Sequence, residues 1–266
     1  MRRVALLLVL APLVLAACGS SGSSSSQQQL SPSASLKHAA KKSAQATSEH
    51  VDLKGTAAVQ GQRLSLTGSG DFDNASHQGT MTAHAGVAGV TVDVDEVLDG
   101  TTIYMKSPLF AATLPGGKTW LKLDLQKLGK ANGVDFGALL SQNPAQTLGQ
   151  LQASGRVSKV GDETIDGVAT THYRATIDPS KIPQGQQLQA LTNAKYGPYN
   201  VWIGKDDGYV HRVVTSYSYA VPGSTGRQSF TLTENFSDFG KTVTVDVPPA
   251  SDVVDATSQS LKALGG

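Results

Sequence analysis

The chain has 266 residues, of which 39% are hydrophobic and 16% charged, and its formal net charge is +1. So few charges without a basic excess are not typical of a nucleic-acid-binding protein, so we predict no nucleic acid among its partners. The single cysteine excludes a disulfide framework and a cluster of thiolate metal ligands.

The first eighteen residues are typical of a bacterial export signal. Two arginines precede an apolar run over residues 4–15, which is shorter than the roughly 20 residues that a membrane-spanning helix needs. Residues 15–18 read Leu-Ala-Ala-Cys and resemble the lipobox of bacterial lipoproteins, in which the cysteine receives a diacylglyceryl group and becomes the first residue after cleavage. The alternative is ordinary cleavage after Ala17, with Cys18 as a bystander.

The composition predicts three segments. Residues 1–17 form a lipoprotein signal peptide, residues 18–35 hold the lipidated Cys18 and a flexible Ser-rich tether, and residues 36–266 form a single domain. Two acyl chains on Cys18, such as palmitate, would hold the protein stably on a membrane, whereas one would not. The predicted location is the extracytoplasmic face of the cell membrane.

The folded part begins with a predicted helix over residues 35–48, which Ser33 or Ser35 could cap. From residue 50 onward, apolar and polar residues alternate, which indicates strands with one buried face. Asp-Gly pairs at 99–100, 166–167 and 207–208 predict tight hairpin turns. Because the candidate strands follow one another directly, we predict an antiparallel sheet of about eleven strands, the last over residues 243–247. A short helix over residues 256–264 follows it.

Two stretches interrupt the strands with helical spacing of apolar residues, over 134–153 and 179–191. A sheet of so many strands must curl or close. We therefore predict an α+β fold, in which a large curved antiparallel sheet forms a half-barrel and helices pack on its concave face.

No pattern in the chain predicts catalysis or metal binding. No two histidines have the i, i+4 spacing of a helical zinc site. Asp93 and Asp95 share one face of a strand and could pair as acid and base or bind Ca²⁺, but we favour a solvated face opposite Val92 and Val94. Residues 68–70 lack the G-x-S-x-G spacing of a nucleophile elbow. We predict no enzyme, no metal and no cofactor; a hydrolase would need an Asp/His/Ser cluster that only folding could assemble.

Several blocks of the chain resemble a known family. They are the lipobox at Cys18, Asp-Gly-Thr-Thr-Ile-Tyr-Met over 99–105, Gly-Lys-Thr-Trp-Leu over 117–121, and Val-Trp-Ile-Gly-Lys-Asp-Asp-Gly-Tyr-Val-His-Arg over 201–212. With the strand pattern, which extends over most of 36–250, they resemble the LppX/LprG-type (LppX_LprAFG) lipoprotein family and the wider LolA/LolB-like fold. The resemblance implies a half-barrel sheet, helices across its concave side, a hydrophobic cavity for acyl chains, and no catalytic residues.

The function that follows is a membrane-anchored lipoprotein that binds acyl chains of lipids or glycolipids and carries them in the cell envelope. The alternative is a non-catalytic sensor or scaffold on the same fold that binds a partner protein. Expected partners are the lipid or glycolipid, the membrane through diacylglyceryl-Cys18, and an envelope transporter or partner protein. The candidate cavity residues, which could equally fill a core, are Leu64, Leu66, Val90, Val92, Val94, Ile103, Met105, Trp120, Leu139, Leu140, Leu148 and Leu151.

Overall fold

The computed structural model describes residues 30–59, 62–87, 90–111, 113–131, 155–177, 195–220 and 227–263. They include one 13-stranded sheet. Its strands are β1 (Ser48–Val59), β2 (Gln62–Asp73), β3 (Gln78–Val87), β4 (Val90–Asp99), β5 (Thr102–Lys106), β6 (Trp120–Asp124), β7 (Gly155–Ile165), β8 (Val168–Ile177), β9 (Lys195–Tyr196), β10 (Tyr199–Gly204), β11 (Val210–Ala220), β12 (Arg227–Ser237) and β13 (Val253–Asp255). The helices are α1 (Pro32–Ser43), α2 (Pro108–Ala111), α3 (Leu125–Ala131) and α4 (Thr257–Ala263).

The sheet is large, open and almost wholly antiparallel. Its order is β13-β6-β5-β4-β3-β2-β1-β12-β11-β10-β8-β7, and β9 pairs with β11. Only β13 runs parallel to its neighbour, β6. Because β1 pairs with both β2 and β12, the first long strand lies in the middle, and β7 and β13 lie at the two edges. The predicted antiparallel sheet is therefore confirmed.

The strand predictions differ from the structure at the C-terminal end. Residues 243–247 have no regular secondary structure, although they alternate like a strand, and two prolines follow them. The short strands β9 and β13 had no alternation long enough to reveal them. The predicted terminal helix is confirmed as α4.

The predicted Asp-Gly turns are confirmed. Gly100, Gly167 and Gly208 all have positive φ, of 60°, 86° and 70°. Each follows an aspartate at a reversal of the chain, and glycine adopts this conformation more readily than residues with a side chain.

Helix α1 begins three residues earlier than predicted and ends five residues earlier. The backbone N–H of Ala34 donates to the Ser31 Oγ at 3.3 Å, so Ser31 is the cap, and Pro32 suits the first helical turn because its φ is already fixed. The helix ends at Ser43, and four residues connect it to β1 at Ser48. The helix thus starts inside the segment predicted as tether.

The buried core lies between α1 and one half of the sheet. Leu36 and Ala39 are fully buried against apolar side chains of β1, β8, β10, β11 and β12. The backbone N–H of Val210 donates to the Ser43 Oγ at 3.0 Å and joins the end of α1 to β11. The two predicted central helices, over 134–153 and 179–191, lie outside the described residues.

Candidate functional site

The register of the strands divides the sheet into an apolar face and a polar outer face. Val51 of β1, which packs in the core with α1, fixes which face is apolar. Because side chains alternate along each strand, the pairings assign the face strand by strand from β1 to β6. We call this side the apolar face; it carries the core beneath α1 at one half of the sheet.

The structure brings together the predicted residues on β2, β4 and β5. Leu66 faces Ala85 on β3, and Ala85 faces Val92 on β4. The same face carries Leu64, Val90, Val94, Ile103 and Met105.

These aliphatic side chains are half-buried, unlike the fully buried residues beneath α1. The exception is Val90, which is 64% exposed at the start of β4. The face therefore retains accessible apolar surface on β2, β4 and β5, which we call the aliphatic sector and define by Leu64, Leu66, Val92, Val94, Ile103 and Met105.

Trp120 lies on the other side of the sheet. On β6, Leu121 pairs with Met105 and Leu123 with Ile103, so these two leucines face the aliphatic sector and Trp120 faces outward. Lys106 Nζ lies 5.8 Å from the centre of the Trp120 ring. Trp120 is out of phase with Leu121 and Leu123, whose alternation along β6 marks the apolar face, so it lies on the opposite face from the other predicted cavity residues on β2, β4 and β5. The remaining predicted residues, Leu139, Leu140, Leu148 and Leu151, lie outside the described residues, as does Cys18.

Among the described residues, three glutamates stand on the apolar face. Glu96 of β4 lies between Met81 and Met105, and Glu234 of β12 lies between Leu53 and Val213. Glu49, at the start of β1, is only 7% exposed.

Burial raises the pKa of all three carboxyl groups. The pKa of Glu49 rises to about 7, because burial outweighs the hydrogen bond from Asn74, which lowers it, and the charge of Glu234 adds to the rise. Burial alone raises the pKa of Glu96 and of Glu234. These groups therefore hold their protons to a higher pH than exposed glutamates, and a neutral carboxyl costs less to cover with apolar atoms than a charged one.

The outer face carries a Ser–His–Asp chain that no sequence pattern revealed. His50 Nδ1 lies 2.7 Å from an Asp71 carboxylate oxygen, and Ser69 Oγ lies 3.1 Å from His50 Nε2. The three come together because β1 and β2 pair with His50 opposite Asp71. Only this register, which the sequence does not state, could have shown it.

The surroundings of Ser69, His50 and Asp71 do not resemble a hydrolase site. Ser69 and Asp71 are exposed. Asp52 lies 3.5 Å from His50 Nε2, the nitrogen that Ser69 also contacts. Burial lowers the pKa of His50, but the hydrogen bond and charge of Asp71 and of Asp52 outweigh it, so the pKa rises. The backbone of β2 here is paired with β1 and β3 on its two sides, so its N–H groups serve the sheet rather than an oxyanion.

Other polar groups of the outer face are paired with one another. Asp93 accepts from His84 Nδ1 at 2.7 Å and Asp95 from the Thr82 hydroxyl at 3.1 Å. Among the described residues, no group of three or more His, Cys, Asp or Glu side chains could hold a metal ion.

The block over residues 201–212 has a structural role. Val201 and Ile203 belong to the core, whereas Trp202 stacks on His172 on the outer face with ring centres 4.1 Å apart. The Trp202 Nε1 donates to Glu163 at 2.9 Å. Side chains of this strand therefore pack on both faces of the sheet.

Over the part of the chain that the structure describes, no helix combines the length and the apolar character needed to cross a membrane.

The comparisons with known proteins agree with this architecture. Residues 31–245 match the family model of the LppX_LprAFG lipoproteins. An uncharacterized 31.2 kDa protein of Streptomyces griseus is 31% identical in an alignment of 252 residues, and the match covers 85% of this chain and 79% of that protein. Among solved structures, LprF from Mycobacterium bovis is 18% identical with a TM-score of 0.51, and the match covers 82% of this chain and 96% of LprF. LppX from Mycobacterium tuberculosis is 20% identical with a TM-score of 0.49, and the match covers 80% of this chain and 97% of LppX. At this identity the LprF match indicates the fold alone.

The family model matches most of the length of this chain, over residues 31–245. The chain therefore belongs to the LppX_LprAFG lipoprotein family.

Proposed function

We propose that this lipoprotein binds acyl chains of lipids or glycolipids on its apolar face and carries them in the cell envelope. The observation that supports this most is the aliphatic sector, where side chains of β2, β4 and β5 lie in register and remain half-buried. Curvature of the sheet into a half-barrel, with helices over its concave side, would complete a cavity around this sector.

The energetics favour a carrier rather than a store. A sixteen-carbon chain moved from water onto such a surface gains about 13 kcal/mol, at about 0.8 kcal/mol per methylene. The same chain gains almost nothing when it leaves a bilayer, because the bilayer is equally apolar. Uptake from a membrane is then nearly neutral in free energy, whereas loss into water is strongly unfavourable.

The remaining parts of the proposal concern where the protein works. Diacylglyceryl-Cys18, with acyl groups such as palmitate, holds it on the extracytoplasmic face of the cell membrane after the signal peptide of residues 1–17 is removed. An envelope transporter or another partner protein supplies or accepts the lipid. The protein catalyses no reaction and needs no cofactor.

The proposal is tested by identifying lipid bound to the non-acylated chain over residues 19–266, which keeps the Ser31 cap and every other described residue. Native mass spectrometry of the purified protein, followed by extraction, is expected to reveal a stoichiometric acyl-bearing molecule. The variant Val92→Trp should lose it, because the indole fills the aliphatic sector. The matched control is Thr91→Trp, whose side chain is exposed on the outer face of the same strand.

A lipid-free protein that also fails to bind added phospholipid and glycolipid would exclude the carrier. The sensor or scaffold that binds a partner protein would then become the first hypothesis. Equal loss of lipid in both tryptophan variants would show that the aliphatic sector is not the binding surface.

A further inference from the structure

Charge is segregated along the strands although the whole chain is nearly neutral. The end of the sheet where β1, β3, β8 and β11 finish and β2, β4, β7 and β12 begin is the basic end. From the row of Lys54 to this end, the described strands carry one acid, Asp93, and His84 Nδ1 lies 2.7 Å from it. The basic residues of the same rows are Lys54, Arg63, Arg156, Arg174, Lys195 and Arg227.

The opposite end is acidic, and its basic side chains are largely used in ion pairs. Lys205 and Lys159 both lie 2.9 Å from Asp162, and Arg212 lies 3.6 Å from Asp166. By contrast, Arg63, Arg156 and Lys195 are exposed and form no ion pair with a described residue. Within the described ranges, the basic end therefore presents positive charge that no acidic side chain pairs at Arg63, Arg156 and Lys195.

Exposed apolar side chains lie at the same basic end. Val90 is 64% exposed at the start of β4, and Tyr217 is 37% exposed near the end of β11. Leu109 is 69% exposed on α2, which follows the end of β5 and contacts β4. A charged polymer bound at this end would leave these apolar side chains in water, whereas a lipid interface would cover them.

We propose that the basic end is a docking surface for an anionic lipid bilayer, in which the cations contact phosphate head groups and Leu109, Val90 and Tyr217 enter the interface. The negative surface potential of such a bilayer attracts positive side chains, and the attraction falls off within a Debye length. Docking would orient the strands toward the membrane. It does not require a lipid on the apolar face, so this proposal and the proposed function can fail separately.

The test is flotation of the non-acylated chain over residues 19–266 with phosphatidylcholine vesicles that contain or lack phosphatidylglycerol. Binding should require phosphatidylglycerol and weaken with added salt. Arg63→Gln and Lys195→Gln should each weaken it about fivefold. Leu109→Ser should also weaken binding to the vesicles. The fluorescence of Leu109→Trp should shift to the blue when vesicles are added. The matched controls are Lys205→Gln and Lys241→Gln at the acidic end, which should leave binding unchanged.

Circular dichroism and thermal unfolding of each variant establish that the fold is retained. Equal weakening by the acidic-end controls would overturn the proposal. So would binding to vesicles that is insensitive to salt and to Arg63, or retention on a soluble polyanion such as heparin without any binding to vesicles.

Discussion

Glu96 lies directly opposite Met105 across the β4–β5 pair, so a carboxyl group is set among the aliphatic side chains of the apolar face. Burial already raises the pKa of Glu96. An acyl chain laid over this group would remove more water from it and raise the pKa again.

The affinity for an acyl ligand should therefore fall as the pH rises. The bound protein holds its proton more tightly than the free protein, so binding is strongest below the pKa of the free protein and weakens above it, by about tenfold for each unit that the ligand adds to the pKa. Titration with a fluorescent phosphatidylcholine, whose head group does not titrate in this range, measures the effect. Glu96→Gln should flatten the profile, and Asp95→Asn, on the outer face of the same strand, should not. An unchanged profile in Glu96→Gln, with binding intact, would contradict the argument.

Glu49 should make the protein less stable at alkaline pH. Its pKa rises from 4.5 to about 7 in the folded protein, so the folded state binds more protons than the unfolded state between these values. The associated stability is present below the unfolded pKa and is lost as the pH rises through about 7. The loss is about 3 kcal/mol at most, at about 1.4 kcal/mol per pKa unit.

Urea unfolding at acidic and alkaline pH measures this loss. Glu49→Gln should be less sensitive to pH than the parent and more stable than it at alkaline pH, because a neutral amide replaces the buried carboxylate. The control Asp206→Asn changes an exposed acid and should keep the parent profile. The same decline in Glu49→Gln as in the parent would assign it to another group, of which Glu234 is the nearest candidate.

Gly79→Ala should destabilise the protein, because the Phe72 ring packs directly over Gly79. A Cβ at residue 79 would lie 2.2 Å from the Phe72 ring, which packs over the glycine from the neighbouring strand. The ring would have to move, and the expected loss is about 1–3 kcal/mol. Gly161→Ala is the control, because nothing lies within 4 Å of its added methyl group; it should change the stability by less than about 0.5 kcal/mol. Equal unfolding midpoints for both variants would refute the packing argument.

Ser69 should not react as a catalytic nucleophile, despite its hydrogen bond to His50. The N–H groups of β2 are used in sheet pairing and an oxyanion would lack donors, which in hydrolases contribute about 2.7–4 kcal/mol each. A fluorophosphonate probe should leave the protein unlabelled, and Ser69→Ala should match the parent in hydrolysis of p-nitrophenyl esters. Labelling that disappears in Ser69→Ala would establish an enzyme and overturn this prediction.

Much of the local structure could be predicted from the order of the amino acids. Alternation along residues 90–94 and the Asp-Gly pairs predicted strands and turns correctly, because side-chain period and positive φ are local properties of the chain. The blocks over 99–105 and 201–212 also indicated the family.

Which residues of distant strands lie next to each other depends on the tertiary fold. The pairing of β1 with β12 joins residues nearly two hundred positions apart, and no local pattern encodes such a contact. The same pairing placed Glu234 beside Leu53, and the register of β1 with β2 placed Asp71 beside His50. A net charge near zero gave no sign of a basic end, because a sum over the chain carries no information about position. Register turns a neutral composition into two oppositely charged ends and an alternating pattern into two different faces.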